Sequence, residues 1–237
     1  MVANEEKTWE FTKVKAVLFD MDGTLIDSEI FTEKIMRAYL KNENLPADVF
    51  EYEAFHGVTW LQIEKTVCDS FPQLQSRDLA GVFEQEFHRR VMNESPAQIL
   101  GSRQAVCDAA EHFRCAVVSS SNRATVNHVV TSLKLDDIVE VKVCAEDVTN
   151  SKPNPECFLK AAQELGLTPE ECLVFEDSIP GLMSAKQAGM NVIAVTARCT
   201  DPTKASMIAE LSIQDFNSLG PTFLQRIQNA TCAPHNP

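Results

Sequence analysis

Two aspartates two residues apart, Asp20 and Asp22, close a short apolar run and are followed at once by Gly23 and Thr24. A carboxylate fixed at a strand end can attack phosphorus and form an acyl phosphate. A second carboxylate two residues on can protonate the leaving oxygen and then activate water. Further along, Ser119-Ser120-Ser121-Asn122, Ser151-Lys152-Pro153 and Glu176-Asp177-Ser178 each follow or adjoin an apolar run. Hydroxyls and backbone N–H groups hold phosphate oxygens, and a lysine neutralises nucleophile and phosphate together. Clustered carboxylates call for a cation, and an all-oxygen set favours magnesium. The combination is chemically complete for phosphoryl transfer.

These groups can meet only if the runs before them lie side by side. Val14–Asp20, Cys115–Ser119, Val141–Cys144, Cys172–Glu176 and Val192–Val195 are continuous apolar stretches, the pattern of strands covered on both faces. Helical periodicity separates them: Val126, Val129, Val130 and Leu133, then Phe158, Ala161, Ala162 and Leu165. Asn154-Pro155 reads as a helix start, Gly166 and Gly189 as helix ends, and Thr168 with Glu171 as a capping box. The expectation is an α/β fold, a doubly wound parallel sheet whose ligands bind beyond the carboxyl ends of its strands.

One region breaks the alternation. From Asp27 to about Pro96 three helical faces follow one another: Phe31, Ile35, Ala38 and Tyr39; Trp60, Ile63 and Val67; Leu79, Phe83, Phe87 and Val91. This predicts an all-helical insert over residues 28–96. The catalytic core would comprise residues 14–27 and 97–220, and a C-terminal helix or tail residues 221–237.

The motifs resemble those of the haloacid dehalogenase-like hydrolases. FDMDGTLIDSE is similar to the family's first motif, VVSSSN to the second, SKPNPECF to the third, and VFEDSIPG with the following AGM to the fourth. They stand in the family's order across Val14 to Thr200. The resemblance implies a Rossmann-like core with a helical cap. It implies Asp20 as nucleophile and magnesium ligand, and Asp22 as general acid/base that binds the metal through its backbone carbonyl. Ser119, assisted by Ser120, would hold the transferring phosphate, and Lys152 would pair with Asp20 and the phosphate. Asp177 would complete the metal site, with Glu176 beside it or one water away. Gly23 would give the tight turn, Thr24 would help hold the cap hinge, and the segment with His56 and Trp60 would be a substrate-specificity loop.

The resemblance also separates reaction types. Dehalogenation needs neither Asp22 as acid/base nor a metal. Mutases of the β-phosphoglucomutase kind resemble one another in a cap histidine and a cap arginine, and the aligned positions here are Thr32 and Trp60. A phosphatase acting on a small phosphorylated metabolite, most of all a sugar phosphate, is favoured, with the mutase as alternative. A non-enzymatic regulator on the same scaffold would have lost at least one catalytic group, and none is lost.

Composition fits this picture. The chain has 237 residues, a hydrophobic share of 44% and a formal net charge of −13, which speaks against a nucleic-acid partner. No apolar run reaches the ~20 residues of a membrane span. The polar, acidic start lacks the features of a secretory signal, so a cytoplasmic location is expected. Eight cysteines without a C-x-x-C pair read as reduced and buried. His88, His112 and His128 sit in helical patterns and are expected to serve packing or surface. Lys34, Arg37 and Lys65 are cap cations for which a solvated helix face is the default. A monomer is expected.

Overall fold

The computed structural model describes residues 11, 13–55, 59–220, 222–225 and 227. Its centre is β1 (Ala16–Phe19), four buried residues. The chain then makes a short ribbon strand β2 (Ile26–Asp27) and runs through helices α1 (Glu29–Asn42), α2 (Trp60–Ser70) and α3 (Leu79–Glu94). It returns through β3 (Ala97–Gln98), which pairs antiparallel with β2. Next come α4 (Ser102–Ala110), β4 (Arg114–Val118), α5 (Arg123–Ser132), β5 (Val139–Val143) and α6 (Glu156–Glu164). Then follow β6 (Cys172–Glu176), α7 (Ile179–Gln187), β7 (Asn191–Val195), α8 (Pro202–Ile208) and β8 (Leu211–Ile213).

The main sheet has the order β5-β4-β1-β6-β7-β8, and every pairing in it is parallel. From β1 the chain winds outward through β4 and β5, then returns to the other side through β6, β7 and β8. The order therefore reverses between β1 and β6. That switch point leaves a crevice beyond the carboxyl ends of these two strands.

Alternation along each strand supplies two cores. Ala16 and Leu18 face the layer formed by Phe158, Ala161, Leu182 and Ala185. Val17 and Phe19 face the opposite layer, with Val106, Ala109, Val126 and Val130. Phe19 stacks on Phe175 at 5.3 Å between centroids, and Phe216 packs against both rings. This second core continues into the helical insert through Phe31, Ile35, Phe83 and Phe87.

Local signals explain most boundaries. Thr59 and Gln62 form a capping box at α2, and Asp78 caps α3 by accepting from Gly81 N–H at 2.9 Å. Thr168 and Glu171 form the expected box, around a 3₁₀ turn. Asn154 accepts from Glu156 N–H at 3.0 Å, so α6 starts one residue later than Asn154-Pro155 suggests. On α1 the buried stripe runs through Met36 and Leu40, while Ala38 is exposed. Two elements had no strand signal. β8 is short, half-exposed and interrupted by Ser212, and each strand of the β2–β3 ribbon has two residues. Of the cysteines, Cys68, Cys107, Cys115, Cys144, Cys157, Cys172 and Cys199 are free, five of them buried. Cys232, like most of the expected tail, lies outside the described residues.

Candidate active site

The β1–β6 ladder runs into the site: Asp20 N–H donates to Phe175 O at 3.0 Å, one residue past the strand. The turn after it is tight. Gly23 N–H donates to Ile26 O (2.8 Å), and Leu25 and Ile26 N–H both return to Met21 O. Gly23 has φ +84°, and a Cβ there would lie 2.1 Å from an oxygen of Asp177. Only glycine meets both conditions without strain.

Lys152 Nζ lies 2.6 Å from Asp20 Oδ1 and 2.9 Å from Glu176 Oε1, and all three side chains are buried. Glu176 is fixed at its other oxygen by Ser178 N–H, 2.7 Å away at the start of α7. Thr24 donates to Asp177 Oδ1 at 3.1 Å. Thr24 thus orients a site carboxylate. Asp22 accepts from three hydroxyls: Ser28 (2.8 Å), Ser119 (3.1 Å) and Ser121 (2.9 Å). Ser121, not Ser120, is the second loop serine that reaches Asp22; Ser120 is exposed on the cavity wall. Ser28 and Ser121 carried no distinguishing sequence signal, because a serine near a strand end is ordinary in a polar loop.

Asp20, Asp22, Ser120, Lys152 and Glu176 line one cavity of about 550 Å³ between the sheet edge and the helical insert. Asp177 stands beside it, with one carboxylate oxygen each from Asp20, Glu176 and Asp177 within 4.8 Å of one another. The insert contributes Thr32, Trp60, Phe87 and His88 to the opposite wall. His88, expected to serve packing or surface, bonds through Nδ1 to Asn122 at 2.7 Å. His56 lies outside the described residues.

The charge balance is unfavourable without a further cation. Burial pushes the Asp20 carboxyl up to about 8; Lys152 opposes this, while Glu176 and Asp22 add to it. Burial also raises Asp177 well above the usual carboxylate range, and Glu176 and Asp20 reinforce it. For Lys152 burial works against the ammonium, but the charges of Asp20 and Glu176 outweigh it and hold the lysine well above its ordinary value. Three buried carboxylates thus share one ammonium. An all-oxygen set at this spacing fits a hard divalent cation, which would restore both the balance and the ionised form of Asp20.

Comparison with known proteins agrees with this construction. Hexitol phosphatase A of Escherichia coli (strain K12) is 31% identical over 195 residues, covering 80% of this chain and 87% of that protein. A phosphorylated carbohydrates phosphatase of Thermotoga maritima is 29% identical over 203 residues, covering 83% and 91%. A β-phosphoglucomutase structure from Clostridium difficile shares the fold, with a TM-score of 0.73 at 20% identity over 91% of this chain and 97% of the other. The sequence model of the haloacid dehalogenase-like hydrolases matches residues 17–195. With β1, β4 and β6 delivering their motifs to one crevice, the chain belongs to the haloacid dehalogenase-like hydrolase family.

Proposed function

We propose that the protein is a magnesium-dependent phosphatase that hydrolyses a small phosphomonoester, a sugar phosphate, through an aspartyl phosphate on Asp20. The observation that carries this reading is the Lys152 ammonium, 2.6 Å from Asp20 Oδ1 on the wall of a cavity whose other reacting groups are carboxylates. A lysine there favours the ionised form of the nucleophile and attracts the phosphate. The similarity to phosphatases of hexitols and phosphorylated carbohydrates supports the substrate class.

Asp20 attacks phosphorus, the bond to the ester oxygen breaks, and Asp22 gives that oxygen its proton. Asp22 then takes a proton from water as the water attacks the acyl phosphate, which releases inorganic phosphate and regenerates Asp20. Ser119 and Ser121 hold Asp22 in place, and the Ser119–Ser121 loop offers the phosphate its donors. Asp20, Asp22 through its backbone carbonyl, and Asp177 are the proposed magnesium ligands, with Glu176 as the partner of Lys152. Bound magnesium would screen the anionic phosphate from the anionic nucleophile. The helices between β2 and β3 act as the cap, closing over substrates small enough for the cavity.

Phosphate release from a panel of sugar phosphates, with magnesium and an Asp20→Asn control, tests the reading. Release that requires both supports it. Interconversion of hexose phosphates without net release would replace it with a mutase.

A further inference from the structure

The cavity has two unlike walls. The sheet edge carries the reacting groups. The insert carries the carboxylates Glu29, Asp78 and Glu84 together with the rings of Trp60 and Phe87, whose centroids are 5.6 Å apart. The insert cations best placed in sequence to meet an acidic substrate are turned to other partners. Arg37 pairs with Glu33 (2.6 Å) and Asp48 (2.5 Å), Lys65 with Asp69 (2.6 Å), and Lys34 with Glu94 (3.7 Å). Among the described residues that line the cavity, Lys152 is the only lysine or arginine, and it is engaged by Asp20 and Glu176.

We infer that this wall selects the alcohol half of the substrate against a second anion: the preferred substrates carry one phosphate on an otherwise neutral, hydroxylated body. The inference rests on the phosphatase reading and narrows it. Once the transferring phosphate sits by Lys152, the rest of the molecule faces the insert. A second phosphate or a carboxylate there meets like charge in a partly enclosed site, with no lysine or arginine among the described residues of that wall to offset it. Hydroxyls instead find acceptors in Glu29, Asp78 and Glu84. The ring faces of Trp60 and Phe87 suit the C–H surface of a sugar or polyol.

The test compares kcat/KM, in magnesium, for a hexose monophosphate, the bisphosphate of the same hexose, a phosphorylated hydroxy acid and a simple aryl phosphate. The two substrates with a second anion are expected to fall at least about tenfold below the monophosphate, since like-charge juxtaposition is costly. Glu84 is exposed, so its replacement spares the core. Glu84→Lys should narrow the ratio of monophosphate to bisphosphate, and Glu84→Gln should move it the same way by less. A bisphosphate used as well as the monophosphate, or a ratio that neither variant moves, overturns the inference and leaves the phosphatase reading standing. No release from any compound, the aryl phosphate included, removes the phosphatase reading and this inference with it.

Discussion

Asn122 joins His88 across the seam between sheet and insert, and its second function fixes the tautomer of the histidine. Asn122 Oδ1 accepts from Thr125 N–H (2.9 Å) as the N-cap of α5, so its Nδ2 is the atom 2.7 Å from His88 Nδ1. An amide NH₂ can only donate, so Nδ1 accepts and the ring proton sits on Nε2. The neutral ring accords with the depressed pKa of His88. Burial lowers it, against the opposing charges of Glu84, Asp22 and Glu146.

Asn122→Asp keeps an oxygen for the helix cap but removes the donor facing His88 and adds a negative charge. The His88 pKa should therefore rise relative to the wild type, with α5 intact. An NMR titration of the ring checks this. A pKa that stays depressed would show that the amide does not set the state of the ring.

The crowded carboxylates predict an unusual pH response in the metal-free protein. A carboxyl raised from 3.8 unfolded to about 8 folded, as for Asp20, means that the native state binds more protons across that window. Stability is then lost as pH rises from about 4 to about 8, the reverse of an ion-paired aspartate. Thermal unfolding in chelator should give a lower Tm at pH 8 than at pH 6. Magnesium should raise Tm more at pH 8, because protons compete with it at pH 6. A Tm shift on adding magnesium that is equal at both pH values counts against a metal site built on these groups.

The parts of the site that the sequence made legible are those whose residue type is chemically demanding. Asp20, Lys152 and Asp177 follow apolar runs that can only be strands or lie in the loops that adjoin them, and the parallel order then brings them together. Ser121 and Ser28 were not legible, because nothing in a run of serines says which hydroxyl turns toward Asp22. The partner of His88 was not legible for a related reason. Its helical periodicity places it beside the buried Phe87, but only the packing of α3 against α5 brings Asn122 within reach. The ribbon β2–β3 and the edge strand β8 gave no signal because two or three residues make no period. Their pairing is imposed by the chain around them.

Asp20→Asn should abolish turnover while leaving the fold intact, because an amide does not attack phosphorus. It also removes one of three crowded carboxylates, so the metal-free variant should have a higher Tm at pH 8 than the wild type. Phosphate release together with thermal unfolding checks both. Substantial residual turnover would sink the nucleophile assignment, and a lowered Tm would contradict the charge balance drawn for the cluster.

Gly181 lies in α7, where alanine is ordinarily the better helix former by about 1 kcal/mol. A Cβ at this position would stand 1.8 Å from Glu176 Oε1 and 2.5 Å from Oε2. That carboxylate is tied to Lys152 Nζ at 2.9 Å and to Ser178 N–H at 2.7 Å, so it cannot yield without giving up one of them. Gly181→Ala should therefore lose activity by at least about tenfold, as expected when a group that positions the reacting ones is displaced by a fraction of an ångström to an ångström. The helix itself gains propensity, so unfolding of the variant should stay cooperative. The Cβ crowds Oε1, the oxygen that holds Lys152, so the pH profile of kcat/KM should shift along with its magnitude. An active variant with an unchanged profile would show that Glu176 does not hold Lys152 against Asp20.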